Sequence, residues 1–99
     1  MGRDIYVESK YLSYYGSKSS DLIMAFDRFF WRFPKYKTDE TGYYNANLSR
    51  KAMKQLLEFV KDDVSSNSKL YRNADELLEK MNNIYIRMMP NDFVDVWTC

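Results

Sequence analysis

Residues 20–33 read SDLIMAFDRFFWRF, and the rest of the chain is read outward from them. Nine of these fourteen residues are apolar and five are aromatic. Serine before an apolar run supplies a side-chain oxygen for the orphan N–H groups of a helix start, so Ser19 or Ser20 is the expected cap. Asp21 in the first turn suits the positive end of the helix dipole. Pro34 cannot continue the hydrogen-bond ladder and pushes Phe33 toward extended geometry, which ends the helix. At about 100° per residue, Leu22, Phe26, Phe29 and Phe33 fall on one face, flanked by Ala25 and Phe30. Trp31 and Met24 point nearly the opposite way, between Asp27 on one side and Arg28 and Arg32 on the other. An ordinary surface helix has one apolar stripe and a polar back. This one has a second, smaller apolar ridge on its back.

Before this helix, residues 4–8 (DIYVE) alternate, with Ile5 and Val7 framing Tyr6, and read as a short strand. Residues 9–15 (SKYLSYY) fit either one or two helical turns capped by Ser9 and ended by Gly16, or a continuation of the strand. Residues 16–20 form a loop. After the helix, residues 34–47 are the longest irregular stretch. Thr38 to Gly42 carries turn chemistry between Tyr36 and Tyr43–Tyr44, which fits a loose hairpin or an ordered loop.

The second half is more regular. Ser49 to Val64 puts Met53, Leu56, Leu57, Val60 and Val64 on one face of a helix capped by Asn47 or Ser49. Asn73-Ala74-Asp75-Glu76 resembles a capping box, and Leu77, Leu78, Met81, Ile84, Tyr85 and Met88 follow at helical spacing. That periodicity carries the helix through Asn82 and Asn83 to about Met88. The rival reading breaks at the asparagines and makes residues 84–88 a strand. Phe93 to Trp97 alternates and reads as a strand. The expected fold is α+β: one domain over residues 1–99, with three helices packed on a small sheet of two or three strands that includes both chain termini. A third strand would come from residues 36–45. Phe26, Phe29, Phe33, Met53, Leu57, Val60, Leu77, Met81 and Ile84 form the expected core.

Composition excludes more than it selects. Ninety-nine residues at 45% apolar content suffice for one ordinary core. A net charge of +1 creates no global field toward DNA, membrane or acidic substrate. The lone Cys99 makes no internal disulfide, so a reducing, cytoplasmic setting is expected. The start, MGRDI, has no apolar leader core, and Tyr6 stands where a myristoylation signal needs Ser or Thr. No apolar run approaches the ~20 residues of a membrane span, so no membrane partner is expected. Histidine is absent, which removes the commonest general base and metal ligand. Abundant Tyr, Asn, Lys, Met and Ile with few prolines and glycines resemble small proteins of phages or mobile elements.

Tyr14-Tyr15-Gly16-Ser17-Lys18, followed by Asp21-Leu22-Ile23, resembles the N-terminal signature of adenine-N6 DNA methyltransferases. There an aromatic-Gly-Ser/Gly-Lys turn before a helix holds the methyl donor's carboxylate. The glycine-rich cofactor loop and the Asp-Pro-Pro-Tyr motif of that family are missing, so the plain reading is a polar turn with a helix cap. Carboxylates recur at Asp39–Glu40, Asp62–Asp63 and Asp75–Glu76–Glu79. Acid–base catalysis needs two carboxyls in a pocket with separated pKa values. The helix dipole accounts for Asp75 and Glu76, and a solvated helix end for Asp62 and Asp63. Cys99 has no histidine to activate it. The chain is therefore expected to be non-enzymatic, with no metal or cofactor.

Two binding classes remain. Lys10, Tyr11, Tyr14, Tyr15 and Lys18 form one basic–aromatic cluster. Arg28, Arg32, Lys35 and Lys37, interleaved with Phe29, Phe30, Trp31, Phe33 and Tyr36, form another. Single-stranded nucleic-acid binders use such mixtures, yet Phe29 and Phe33 belong to the core stripe. Tyr, Trp, Met and Arg are also the residues enriched at protein interfaces. The favoured expectation is a protein-binding surface of Trp31, Met24, Arg28, Arg32, Lys35 and Tyr36. Its partner would be a host protein or a second copy of the chain, and the chain itself a phage or mobile-element accessory protein that occludes or inhibits a host protein. Nucleic-acid binding through the basic clusters is the alternative.

Overall fold

The computed structural model describes residues 3–40 and 43–99. Strand β1 (Ile5–Glu8) turns back through residues 9–12 into β2 (Ser13–Gly16). Residues 9–15 are thus neither a helical turn nor an extension of the first strand. Ser9 closes the turn. Its N–H donates to the Leu12 carbonyl at 2.8 Å, and its Oγ donates to that carbonyl at 2.7 Å and accepts from the Leu12 N–H at 2.9 Å. A serine side chain that mimics backbone in this way favours a turn over helix.

Gly16 ends β2 where the chain swings into α1 (Asp21–Arg32). A Cβ at this position would run into Ser20 Oγ and press on Ile5 and Leu22. Glycine lets the strand and the helix start approach this closely. Ser20 is the cap, accepting from the Ile23 N–H at 3.3 Å. Phe33 closes the other end, its N–H donating to the Phe29 carbonyl at 2.8 Å. Pro34 opens a single 3-10 turn, Pro34–Tyr36.

The next segment forms two paired strands, the hairpin rather than the ordered loop of the two readings its sequence allows, and one strand more than the third strand expected from residues 36–45. β3 (Lys37–Glu40) and β4 (Tyr43–Ser49) pair antiparallel. Thr38 and Asp39, read as turn, are strand; Thr41 and Gly42 lie outside the described residues. In β4 the inward positions are Tyr44, Ala46 and Leu48, alternating with Asn45 and Asn47. A small alanine and two asparagines blur the usual β signature, and the tertiary core overrides it.

Helix α2 (Arg50–Ser66) follows directly, capped by Ser49 Oγ on the Ala52 N–H at 3.2 Å. Helix α3 (Ala74–Arg87) starts at Asn73, whose Oδ1 accepts from the Glu76 N–H at 3.2 Å while its Nδ2 donates to the Glu76 carboxylate at 3.1 Å. It runs unbroken through Asn82 and Asn83, as its apolar period requires. Strand β5 (Phe93–Thr98) completes the fold.

The architecture is α+β, with three α-helices and a five-stranded antiparallel sheet among the described residues, in the order β2-β1-β5-β4-β3. The expected two or three strands are therefore too few. Both terminal strands lie in the sheet and are direct neighbours: Ile5 faces Thr98 and Val7 faces Val96. Helices cover one face, where Ile5, Val7, Leu48, Val94 and Val96 are buried with Phe26, Phe29, Phe30, Met53, Met81 and Ile84. The expected core is buried except for Phe33, which is half-buried. Its ring slides toward the surface against Tyr36 and Phe59, with centroids 6.3 and 6.2 Å away. Phe30, assigned to the flank, is fully buried and meets the Tyr44 ring edge-on at 5.0 Å.

Candidate functional site

The back of α1 is open. Trp31 is 84% exposed, although the same helix buries Leu22, Ile23, Ala25, Phe26, Phe29 and Phe30. Among the described residues, no segment folds over it. A groove of about 360 Å³ between α1 and α2 is lined by Asp27, Arg28, Trp31, Arg32, Phe59 and Asp63. Trp31, Arg28 and Arg32 are thus brought together as expected from the helical wheel.

The other candidates are placed differently. Met24 is half-buried against the core and lines a neighbouring depression with Leu70. Lys35 and Tyr36 belong to a different depression, shared with β3, β4 and β5. Tyr36 stacks on Phe29, with rings 11° from parallel and centroids 5.6 Å apart, and its hydroxyl donates to Gln55. It is chiefly a structural residue, because Pro34 turns the chain back against α1.

Two arginine–aspartate–tyrosine groups border the groove. Arg28 donates to Asp63 through Nε at 2.7 Å and Nη2 at 2.8 Å. The same carboxylate accepts from Asn67 Nδ2 at 3.0 Å and from the Tyr71 hydroxyl. The two Arg28 hydrogen bonds hold the Asp63 carboxyl below the usual carboxylate range, while burial raises the Tyr71 phenol. In the second group Arg3 donates to Asp27 at 3.0 and 3.2 Å, and the Tyr44 hydroxyl donates to the same carboxylate at 2.8 Å. Burial raises the Tyr44 phenol as well.

Asp63 corrects the reading of a solvated helix end: the residue is buried. The signal was present, since Asp63 lies seven residues after Leu56 and three after Val60 on the apolar face of α2. Phe59 was also missed as a groove residue. It lies off the main stripe of α2 and meets Phe29 and Phe33.

Chemically, each carboxylate is matched to a guanidinium and a neutral phenol. That arrangement fixes side chains more than it offers a proton. Arg28 is held in place by Asp63, and Arg32, over the Phe33 ring at 5.0 Å, is exposed at the rim. The basic–aromatic cluster from Arg28 to Lys37 is dispersed: Phe29 and Phe30 are core, Arg28 is paired with Asp63, and Lys37 with Asp39. Among the described residues, no group of three or more His, Cys, Asp or Glu is placed to hold a metal ion, and no helix is long and apolar enough to cross a membrane.

Comparison with protein-family models, with curated proteins and with solved structures finds no match to this chain.

Proposed function

We propose that the chain is a small non-enzymatic protein-binding protein whose contact surface is the α1–α2 groove, with Trp31 as its anchor. The observation that carries this reading is the 84% exposure of Trp31 on a helix that buries Leu22, Ile23, Phe26, Phe29 and Phe30 and half-buries Met24. A tryptophan ring offers roughly 200 Å² of surface. At about 25 cal/mol per Å², covering it contributes at most about 5 kcal/mol to association. Tryptophan and arginine dominate interface hot spots, and Arg28 and Arg32 line the same groove. Asp63 holds Arg28 in one orientation, so little side-chain entropy is lost on binding. The finer version, an accessory protein of a phage or mobile element that occludes a host protein, is supported by small size and composition.

The test is a pull-down from the native host with wild type and with Trp31→Ala/Arg32→Ala. The captured protein is then purified and titrated directly, and self-association is followed by sedimentation. Lost binding, with unfolding free energy within about 1 kcal/mol of wild type, supports the interface. Unaltered affinity would overturn it, and a stability loss of several kcal/mol would make Trp31 a structural residue.

A further inference from the structure

The open back of α1 has the spacing of a helix–helix seam. Met24 and Trp31 are one heptad apart, with Arg28 between them. At about 100° per residue these three centre the face opposite Phe26 and Phe29, with Asp27 on one flank and Arg32 on the other. In heptad terms Met24 and Trp31 are d, Arg28 is a, Asp27 is g and Arg32 is e. Met24 is half-buried at one end of the seam. The rest is open: Trp31 is 84% exposed, Arg32 is exposed, and the Asp27 side chain keeps 38% of its surface accessible.

Charge on α1 is balanced, with the carboxylates of Asp21 and Asp27 against the guanidiniums of Arg28 and Arg32. Asp21 is engaged at the helix start by the N–H groups of Arg72 and Asn73. Arg28, in the middle of the seam, turns to Asp63 on α2 and is neutralised there. Asp27 meets Arg3 at the edge of the face. Arg32 has no ion pair among the described residues. A uniformly acidic or uniformly basic partner therefore meets a like charge on one flank. A second α1 running parallel does not. Around a two-fold axis along the two helices, the g position of each copy faces the e position of the other. Asp27 then meets the second copy's Arg32, and the contact occurs twice. In an antiparallel pair like flanks would meet, Asp27 against Asp27 and Arg32 against Arg32.

We propose that the chain self-associates through this face as a parallel two-fold dimer, α1 against α1, with Met24 and Trp31 packed on their counterparts and Asp27 paired with Arg32 on both sides of the axis. The proposal rests on the reading of Trp31 as a contact anchor and names a second copy as its occupant. Charge complementarity selects that occupant and its direction, because one helix carries both halves of each ion pair on opposite flanks. The seam is two turns long, so the dimer is a weak one. A captured host protein would compete with the second copy for Trp31.

Sedimentation of the full chain between about 1 μM and 1 mM should show a reversible monomer–dimer equilibrium. Trp31 and Arg32 are exposed, so variants at both positions should fold. Trp31→Ala should abolish the dimer over that range. Arg32→Glu should weaken it about tenfold, because both ion pairs become carboxylate–carboxylate contacts. Direction is read by disulfide capture. With Cys99→Ser removing the native thiol, Met24→Cys should give a disulfide-linked dimer on air oxidation, since parallel pairing brings the two positions within the Cα separation of about 7 Å that a disulfide spans. Antiparallel pairing on the same face would hold them roughly 10 Å or more apart. Ile86→Cys, exposed on α3, reports random collision. A monomer throughout the range overturns the proposal, while the pull-down from the host tests the groove separately. A dimer insensitive to Trp31→Ala or to Arg32→Glu, or cross-linking through Met24→Cys no faster than through Ile86→Cys, overturns it as well.

Discussion

Arg28 and Asp63 join α1 to α2 through a two-pronged ion pair, Nε to Oδ2 at 2.7 Å and Nη2 to Oδ1 at 2.8 Å. One end is buried and the other wet: the side chain of Asp63 is 7% exposed and that of Arg28 is 40% exposed. The burial cost falls mainly on the carboxylate, and the hydrogen bonds from Arg28, Tyr71 and Asn67 offset it.

Acid should therefore unfold the protein partly through this residue. Asp63 has a folded pKa below its unfolded value, so the unfolded chain takes up its proton first as pH falls. The stabilisation is present above about pH 4, the ordinary carboxylate value, and is lost progressively below it. Urea midpoints measured between pH 7 and pH 2 should fall steeply for wild type. With Asp63→Asn the midpoint at pH 7 should be lower and the acid limb flatter. Parallel limbs for the two proteins would show that Asp63 is not a source of the acid sensitivity.

Phe29 and Phe33 were assigned to one stripe, and they should differ sharply. Phe29 is fully buried among the rings of Phe30, Phe33, Tyr36 and Phe59. Its replacement by alanine should cost about 3–5 kcal/mol, the range for deleting a buried phenyl. Phe33→Ala removes a half-buried ring and should cost about 1–2 kcal/mol, in proportion to the smaller area covered. Equilibrium denaturation of both variants checks the order. A loss under about 1 kcal/mol for Phe29→Ala would mean its ring is not packed as described.

The C-terminal strand is expected to be indispensable. β5 lies in the middle of the sheet, with β1 on one side and β4 on the other. Deleting residues 92–99 would strip hydrogen-bond partners from both neighbours and expose the core around Val94 and Val96. Buried backbone groups left without partners are costly, so the truncated chain should show no cooperative thermal transition. A melting temperature equal to that of the full chain would contradict this placement.

Local chemistry was enough to determine the helices of this protein. Ser20, Ser49 and Asn73 cap them because short polar side chains satisfy orphan N–H groups. Pro34 and the 3.6-residue apolar period set where α1 stops and how α3 crosses two asparagines. The pairing of Ile5–Glu8 with Phe93–Thr98 was legible for a related reason, since isolated strands cannot satisfy their backbones. Other features depended on residues far apart in sequence. Ser9 chose a hairpin through a three-residue side-chain bond, but β2 became a strand only because β1 was there to receive it. The alternation of β4 was masked by Ala46 and its asparagines, and the core settled it. Asp21, read only as favourable to a helix dipole, accepts the N–H groups of Arg72 and Asn73 at 2.8 and 2.7 Å and so ties the start of α3 to α1. Asp63 became a buried anchor because Arg28, Asn67 and Tyr71 converge on it. Helical spacing placed Trp31 on the back of α1. Whether anything covered that back depended on where the segment after Phe33 went: Pro34–Tyr36 form a 3-10 turn packed on Phe29, and Lys37–Glu40 and Tyr43–Ser49 joined the sheet.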